Sequence, residues 1–167
     1  MAEERKRGPA GSLRDKLLSF RGRLRRRDWW IWGLALGLIQ LVCSFIAVRF
    51  VGSTLYDVAS AAPLSPVWLM TVGVSLFFLW PHCALAAKRA HDRDTPGRWA
   101  IALVVGVYVV DQLARMGTPP VKTGLEWLSY AATVVMVVWL GILGGTPGPN
   151  RYGAPPRPSG RLAEAFD

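Results

Sequence analysis

Four long apolar runs, separated by loops whose positive charges alternate from rich to poor, constrain this chain more than any other feature. Residues 29–48 carry no charge, and at about 1.5 Å per residue they cover roughly 30 Å, the thickness of a hydrocarbon core. Residues 58–87 are equally free of charge, and Ser65 with Pro66 reads as an N-cap followed by proline at the first helical position. The third run, 99–110, is short and must continue through Asp111 and Gln112 towards Met116 to cross. There Asp111 and Arg115, spaced i, i+4, can neutralise one another. The fourth run, 125–145, is preceded by Thr123 and Glu126, spaced as a capping box. The pattern predicts an all-α, polytopic membrane protein of one domain, with four transmembrane helices over 29–48, 66–87, 96–116 and 124–145.

The sidedness follows from lysine and arginine. Ten precede residue 29, four lie in 88–98 and three follow residue 145, whereas 49–65 carries one and 111–124 carries two. The positive-inside rule then places both termini and the middle loop in the cytoplasm, with tryptophans 29, 30, 32 and 99 at that boundary and 68 and 127 at the other. Trp80 and Trp139 fall deeper and are expected between helices. The net charge of +9 is used beside apolar runs, as topology signals and headgroup contacts, so nucleic acid is not an expected partner.

Before the first span, Leu13, Leu17, Phe20 and Leu24 recur among basic residues, which predicts a basic amphipathic helix over 12–28 on the inner leaflet. Residues 1–11 are expected to be disordered, and 146–167 to form a cytoplasmic tail rich in Pro and Gly. The first run and its basic leader are too long for a cleaved signal peptide. Cys43 and Cys83 lie in apolar runs without metal-ligand spacing, so no disulfide, zinc or other cofactor is expected.

The loop after the second run is dense in polar groups. Arg89, Arg93 and Arg98 offer donors to phosphate, and His91 with Asp92 is a candidate proton-handling pair. The architectural alternative has Thr95 capping the third helix, Pro96 in its first turn and the carboxylates orienting the arginines.

Three elements resemble one known family. Arg89-Ala90-His91-Asp92 followed by Pro96-Gly97-Arg98-Trp99 is similar to the R-x-H-D…S-G-W-W element of the "domain of unknown function 805" family of small bacterial inner-membrane proteins. Gly22-Arg23-Leu24-Arg25-Arg26 with Asp28-Trp29-Trp30 resembles its entry to the first span, and Gly145 to Gly153 with Pro155 its N-x-Y-G exit. Pro81 stands where that family places a proline. Pro96 replaces its serine and Arg98 its first tryptophan, so no role of those two transfers. The resemblance spans about residues 20–156 and implies an inner-membrane location with no established activity.

All three elements fall at the predicted cytoplasmic face. Arg23, Arg26, Asp28, Arg89, His91, Asp92, Arg93, Asn150 and Tyr152 are therefore expected to form one polar cluster there, binding anionic lipid headgroups or a partner membrane protein, a second copy included. Inside the membrane Gln40 is expected to make an interhelical hydrogen bond, and His82, after Pro81, to fill a kink. Gly33 and Gly37, like Gly141 and Gly145, have the spacing of close helix contacts. No catalytic constellation is present. The favoured expectation is a non-catalytic scaffold, assembly or regulatory subunit; the alternative is ion or solute transport along His82, Gln40 and Asp111, with metal ligation by His82 a more distant one.

Overall fold

The computed structural model describes residues 13–52 and 61–156. The expected disordered segment 1–11 and the chain after 156 lie outside the described residues. Among the described residues five α-helices follow in order: α1 (Leu13–Leu18), α2 (Arg26–Phe50), α3 (Pro66–Asp92), α4 (Gly97–Met116) and α5 (Pro119–Met136). The last runs on as a π-helical turn, Val137–Ile142. α2, α3, α4 and Pro119–Ile142 are each long and apolar enough to cross a membrane. No strand occurs among the described residues.

The packing is inverted relative to a water-soluble bundle. Large apolar side chains such as Leu34 (66% exposed) and Phe77 (76%) face outward, as hydrocarbon solvent permits. The interior of α3 near its end is instead small or charged, with Ala84, Ala86, Ala87, Lys88, Arg89, Ala90 and Asp92 all buried. α3 packs against α2 and α4, and α4 against α5. α2 approaches the last span only through Val137–Ile142. The starts of α2 and α4 and the ends of α3 and the last span share one face, the basic end of the bundle.

Several boundaries differ from expectation. Of the described part of the segment 12–28, Leu13–Leu18 is helical, residues 19–25 are not, and α2 has already begun at Arg26; Leu17 and Leu24 turn inward onto Leu36, Phe78 and Leu85. Lys88, itself buried, donates to the carbonyls of Asp15 (2.9 Å) and Lys16, closing α1's open end. Trp80 does not pack between helices. It is largely exposed, donates to Leu18 O at 3.2 Å and meets Phe20 edge-on at 5.0 Å, pinning this segment to α3. Trp68, in the first turn of α3, is buried against protein, whereas Trp99 at the basic end and Trp127 at the other are exposed there. Thr123 and Glu126 do not start the last helix. Thr118 stands at its N-cap, Thr123 bonds Pro119 O at 3.0 Å, and Glu126 lies 3.9 Å from Lys122. Thr95 likewise bonds Arg93 O, and Pro96 occupies the cap of α4.

Ser65 does cap α3, its hydroxyl accepting from Trp68 N at 3.3 Å. Replacing it with alanine is expected to cost about 1 kcal/mol, read as a lowered melting temperature in detergent with helical content unchanged.

Candidate functional site

The last span ends at Ile142, and its final carbonyls lack helical partners. Donors from other helices supply them. Arg89 Nε donates to Leu140 O at 2.6 Å, and its Nη2 to Leu143 O. Trp30 Nε1 reaches Gly141 O at 3.1 Å, Arg26 Nη1 reaches Ile142 O at 3.0 Å, and Arg93 Nη1 reaches Gly144 O at 3.0 Å. Every carbonyl from 140 to 144 is thus capped by α2 or by the end of α3. Most of the donors are cations, which the negative end of a helix dipole favours.

Asp92 organises the next layer. Its Oδ2 takes Arg89 Nη1 at 2.5 Å and its Oδ1 takes Arg23 Nη2 at 3.0 Å, with all three side chains buried. The backbone carbonyl of Asp92 accepts from Thr146 N (2.8 Å) and Thr146 Oγ1 (3.0 Å). Arg23 spends its remaining donors on Thr146 O (2.7 Å), Gly148 O (2.8 Å) and Gly153 O (3.3 Å). One carboxylate between two guanidiniums would leave excess buried charge, and these carbonyl dipoles offset it.

The third layer holds the exit segment. Asn150 Nδ2 donates to His91 O at 2.9 Å and to Thr146 Oγ1 at 3.0 Å, while its Oδ1 accepts from Tyr152 N at 2.9 Å. The His91 ring stacks on Tyr152 at 3.9 Å and donates from Nδ1 to Gly22 O at 3.1 Å. Gly22 has φ +91°, a conformation that glycine adopts without strain. Arg151 lies 3.1 Å from Asp94 and over the Tyr152 ring. The close fit requires two further glycines. A Cβ at Gly145 would lie 1.9 Å from Asp92 Oδ2, and one at Gly97 would lie 2.8 Å from His91 Nε2.

The structure brings Arg23, Arg89, His91, Asp92, Arg93, Asn150 and Tyr152 together at the basic end. Asp92 pairs with Arg23 and Arg89, while Arg26 lies exposed at the rim. Asp28 sits half-buried in the first turn of α2, and no hydrogen bond or ion pair joins it to the cluster. His91 and Asp92 are not hydrogen-bonded to each other, since each is engaged elsewhere. Arg23 and Arg89 are enclosed with every guanidinium nitrogen bonded, so neither is free to meet a phosphate. Sequence reasoning missed Thr146, Trp30 and Lys88. Thr146, between two glycine-flanked turns, has no period or charge to mark it.

Within the bundle, Gln40, His82 and Asp111 line one cavity of about 550 Å³. Gln40 bridges His82 (3.3 Å) and Ser75 (3.4 Å), so it joins α2 to α3. Asp111 pairs with Arg115 at 3.4 Å. The Gly33/Gly37 pair is no contact site, because a Cβ at either meets nothing within 4 Å. Cys43 and Cys83 are free, and among the described residues no group of three or more metal-ligating side chains converges.

The family described as "Protein of unknown function (DUF805)" matches residues 17–154. Two proteins named "Uncharacterized protein YiiR", from Escherichia coli strain K12 and from Escherichia coli O157:H7, are each 30% identical over 148 residues. The alignments cover 85% of this chain and 88% of theirs. No solved structure matches.

A double-mutant cycle on Arg23→Ala and Asp92→Ala is expected to show a coupling of roughly 0.5–3 kcal/mol, while Arg26→Ala with Asp92→Ala adds independently. Gly145→Ala is expected to destabilise by more than about 1 kcal/mol, since neither Asp92 nor its two arginines can withdraw without losing bonds. Thermal unfolding in detergent reads all of these.

Proposed function

The chain belongs to the DUF805 family of proteins of unknown function, and from that premise we propose a non-catalytic role as an inner-membrane scaffold, assembly or regulatory subunit. In this reading both termini face the cytoplasm, and the basic end contacts anionic lipid that seats the protein beside a partner membrane protein. The observation that carries it is a division of labour among the arginines. Arg23 and Arg89 are buried and bonded throughout, whereas Arg21, Arg27 and Arg98 are exposed around the same rim. The exposed Trp99 ring beside Arg98 (5.6 Å) supplies the interfacial aromatic that such a contact uses. Each arginine near an anionic surface contributes about 1 kcal/mol.

The test is native mass spectrometry of the protein extracted in mild detergent. Arg21, Arg27 and Arg98 changed together to glutamine are expected to strip retained anionic lipid and co-purifying membrane proteins, with the melting temperature unchanged. Undiminished retention would defeat the proposal.

A second reading, passage of an ion or small solute, is favoured by one observation: Gln40, His82 and Asp111 share a cavity. It predicts flux into proteoliposomes that His82→Ala abolishes.

A further inference from the structure

The cavity between α2, α3, α4 and α5 is graded in polarity. Counted along α4 from Gly97, Tyr108, Asp111 and Gln112 lie about 17–23 Å from the basic end. Gln40 and Ser75 belong to this same outer part. Nearer the basic end, at roughly 5–10 Å, the lining turns apolar, with Trp29, Gly33, Ala86, Val104 and Met136. Below that level the space closes. Ala86, Ala90, Ala100 and Leu140 are buried and packed together with Trp29 and Met136 against them, and the arginine layer lies beyond. The cavity is therefore blind towards the basic end.

Its side is not closed in the same way. α2 meets the last span only at Val137–Ile142, so among the described residues α2 and α5 are unzipped over the outer part of the bundle. The gap opens laterally, towards hydrocarbon.

Two shielded polar atoms on residues of this lining, Tyr108 Oη and Gln112 Oε1, have no hydrogen-bond partner among the described residues. A buried group without a partner costs about 1–3 kcal/mol, which a ligand supplying the missing hydrogen bonds recovers. The adjacent charges, Asp111 and Arg115, already face each other at 3.4 Å. The site therefore asks for a group that donates and accepts without bringing charge.

We infer that this cavity binds a single-chain amphiphile, entering from the bilayer between α2 and α5, with an uncharged hydroxyl-bearing headgroup at Tyr108 and Gln112 and its chain running inward past Gly33 to Trp29. The volume, about 550 Å³, lies within the range of small-molecule pockets. The site is separate from the basic rim, and it needs no path through the closed end.

The full chain in lipid nanodiscs is exposed to a monoacylglycerol carrying a diazirine in its acyl chain. The same chain with a carboxylate head and the same chain without a head serve as comparisons. After illumination, labelled peptides are mapped by mass spectrometry. The monoacylglycerol is expected to label the lining near Gly33 and Met136 in preference to both comparison probes. Tyr108→Phe removes one hydrogen bond and is expected to weaken that labelling about fivefold, with stability equal or raised because the atom lost has no protein partner. Gly33→Leu fills the apolar end, where a Cβ has open space, and is expected to abolish labelling there without lowering the melting temperature.

Labelling confined to outward residues such as Leu34 and Leu38 would overturn the inference, as would undiminished labelling in the Gly33 variant. Stronger labelling by the carboxylate probe would overturn the uncharged headgroup. Ion flux through the wild type that Gly33→Leu blocks, with no cavity labelling by any probe, would reassign the cavity to transport.

Discussion

A helix that ends against a low-dielectric surrounding must find donors for its last carbonyls, and this requirement organises the basic end of the molecule. Water is scarce there, and each uncompensated carbonyl costs free energy that packing between apolar side chains does not return in lipid. The chain meets the need with guanidinium groups, whose fork of donors spans more than one carbonyl; Arg89 alone serves Leu140 and Leu143 while holding Asp92. An ammonium at that position has the charge without the fork. Asp92 then neutralises part of what the arginines bring in, and Thr146 and Asn150 tie the exit segment to the same point. The π-helical turn Val137–Ile142 occupies the place where these donors converge.

The same economy explains the shape of the interior. In hydrocarbon the helices gain little from hiding large apolar side chains, so many of them, Leu34 and Phe77 among these, face outward, while alanines and a few residues such as Leu85 and Leu140 occupy the contacts. Close contact is concentrated near the basic end, where the polar layers demand registration. Further out, α2 is tied to α3 by Gln40 between His82 and Ser75, while the Asp111–Arg115 pair lies within α4, and the bundle is looser. A cavity in the outer half and a dense plug at the basic end are two results of one distribution of polar groups.

The four spans were legible because hydropathy and length are nearly sufficient where the solvent is oil, and the Ser65 cap because its geometry is local. The span ends were less so. Arg26 and Asp28 read as flanking charges, yet α2 begins at Arg26, since an arginine in a first turn costs little when Ile142 O is within reach. The membership of the polar cluster was mostly readable from the spacing of Arg23, Arg89, His91, Asp92, Asn150 and Tyr152. Its pairings were not. Arg23 and Arg26 are three positions apart and chemically identical, and only the fold decides which one turns inward. Half of the partners are backbone carbonyls, which leave no trace in a sequence. Trp80 misled for a related reason: depth along a helix does not say which way the ring points, and here it points outward to hold Leu18.

Arg23 precedes the first span, whereas the carbonyls of Thr146, Gly148 and Gly153 follow the last. The fastener therefore cannot shut until the segment that follows the last span has left the ribosome. Until then Arg23 lacks the carbonyls that take its remaining donors, and the backbone carbonyl of Asp92 lacks Thr146. Closure of the basic end thus waits on the exit segment, and a copy without it differs from a closed one by donors of Arg23 left without acceptors.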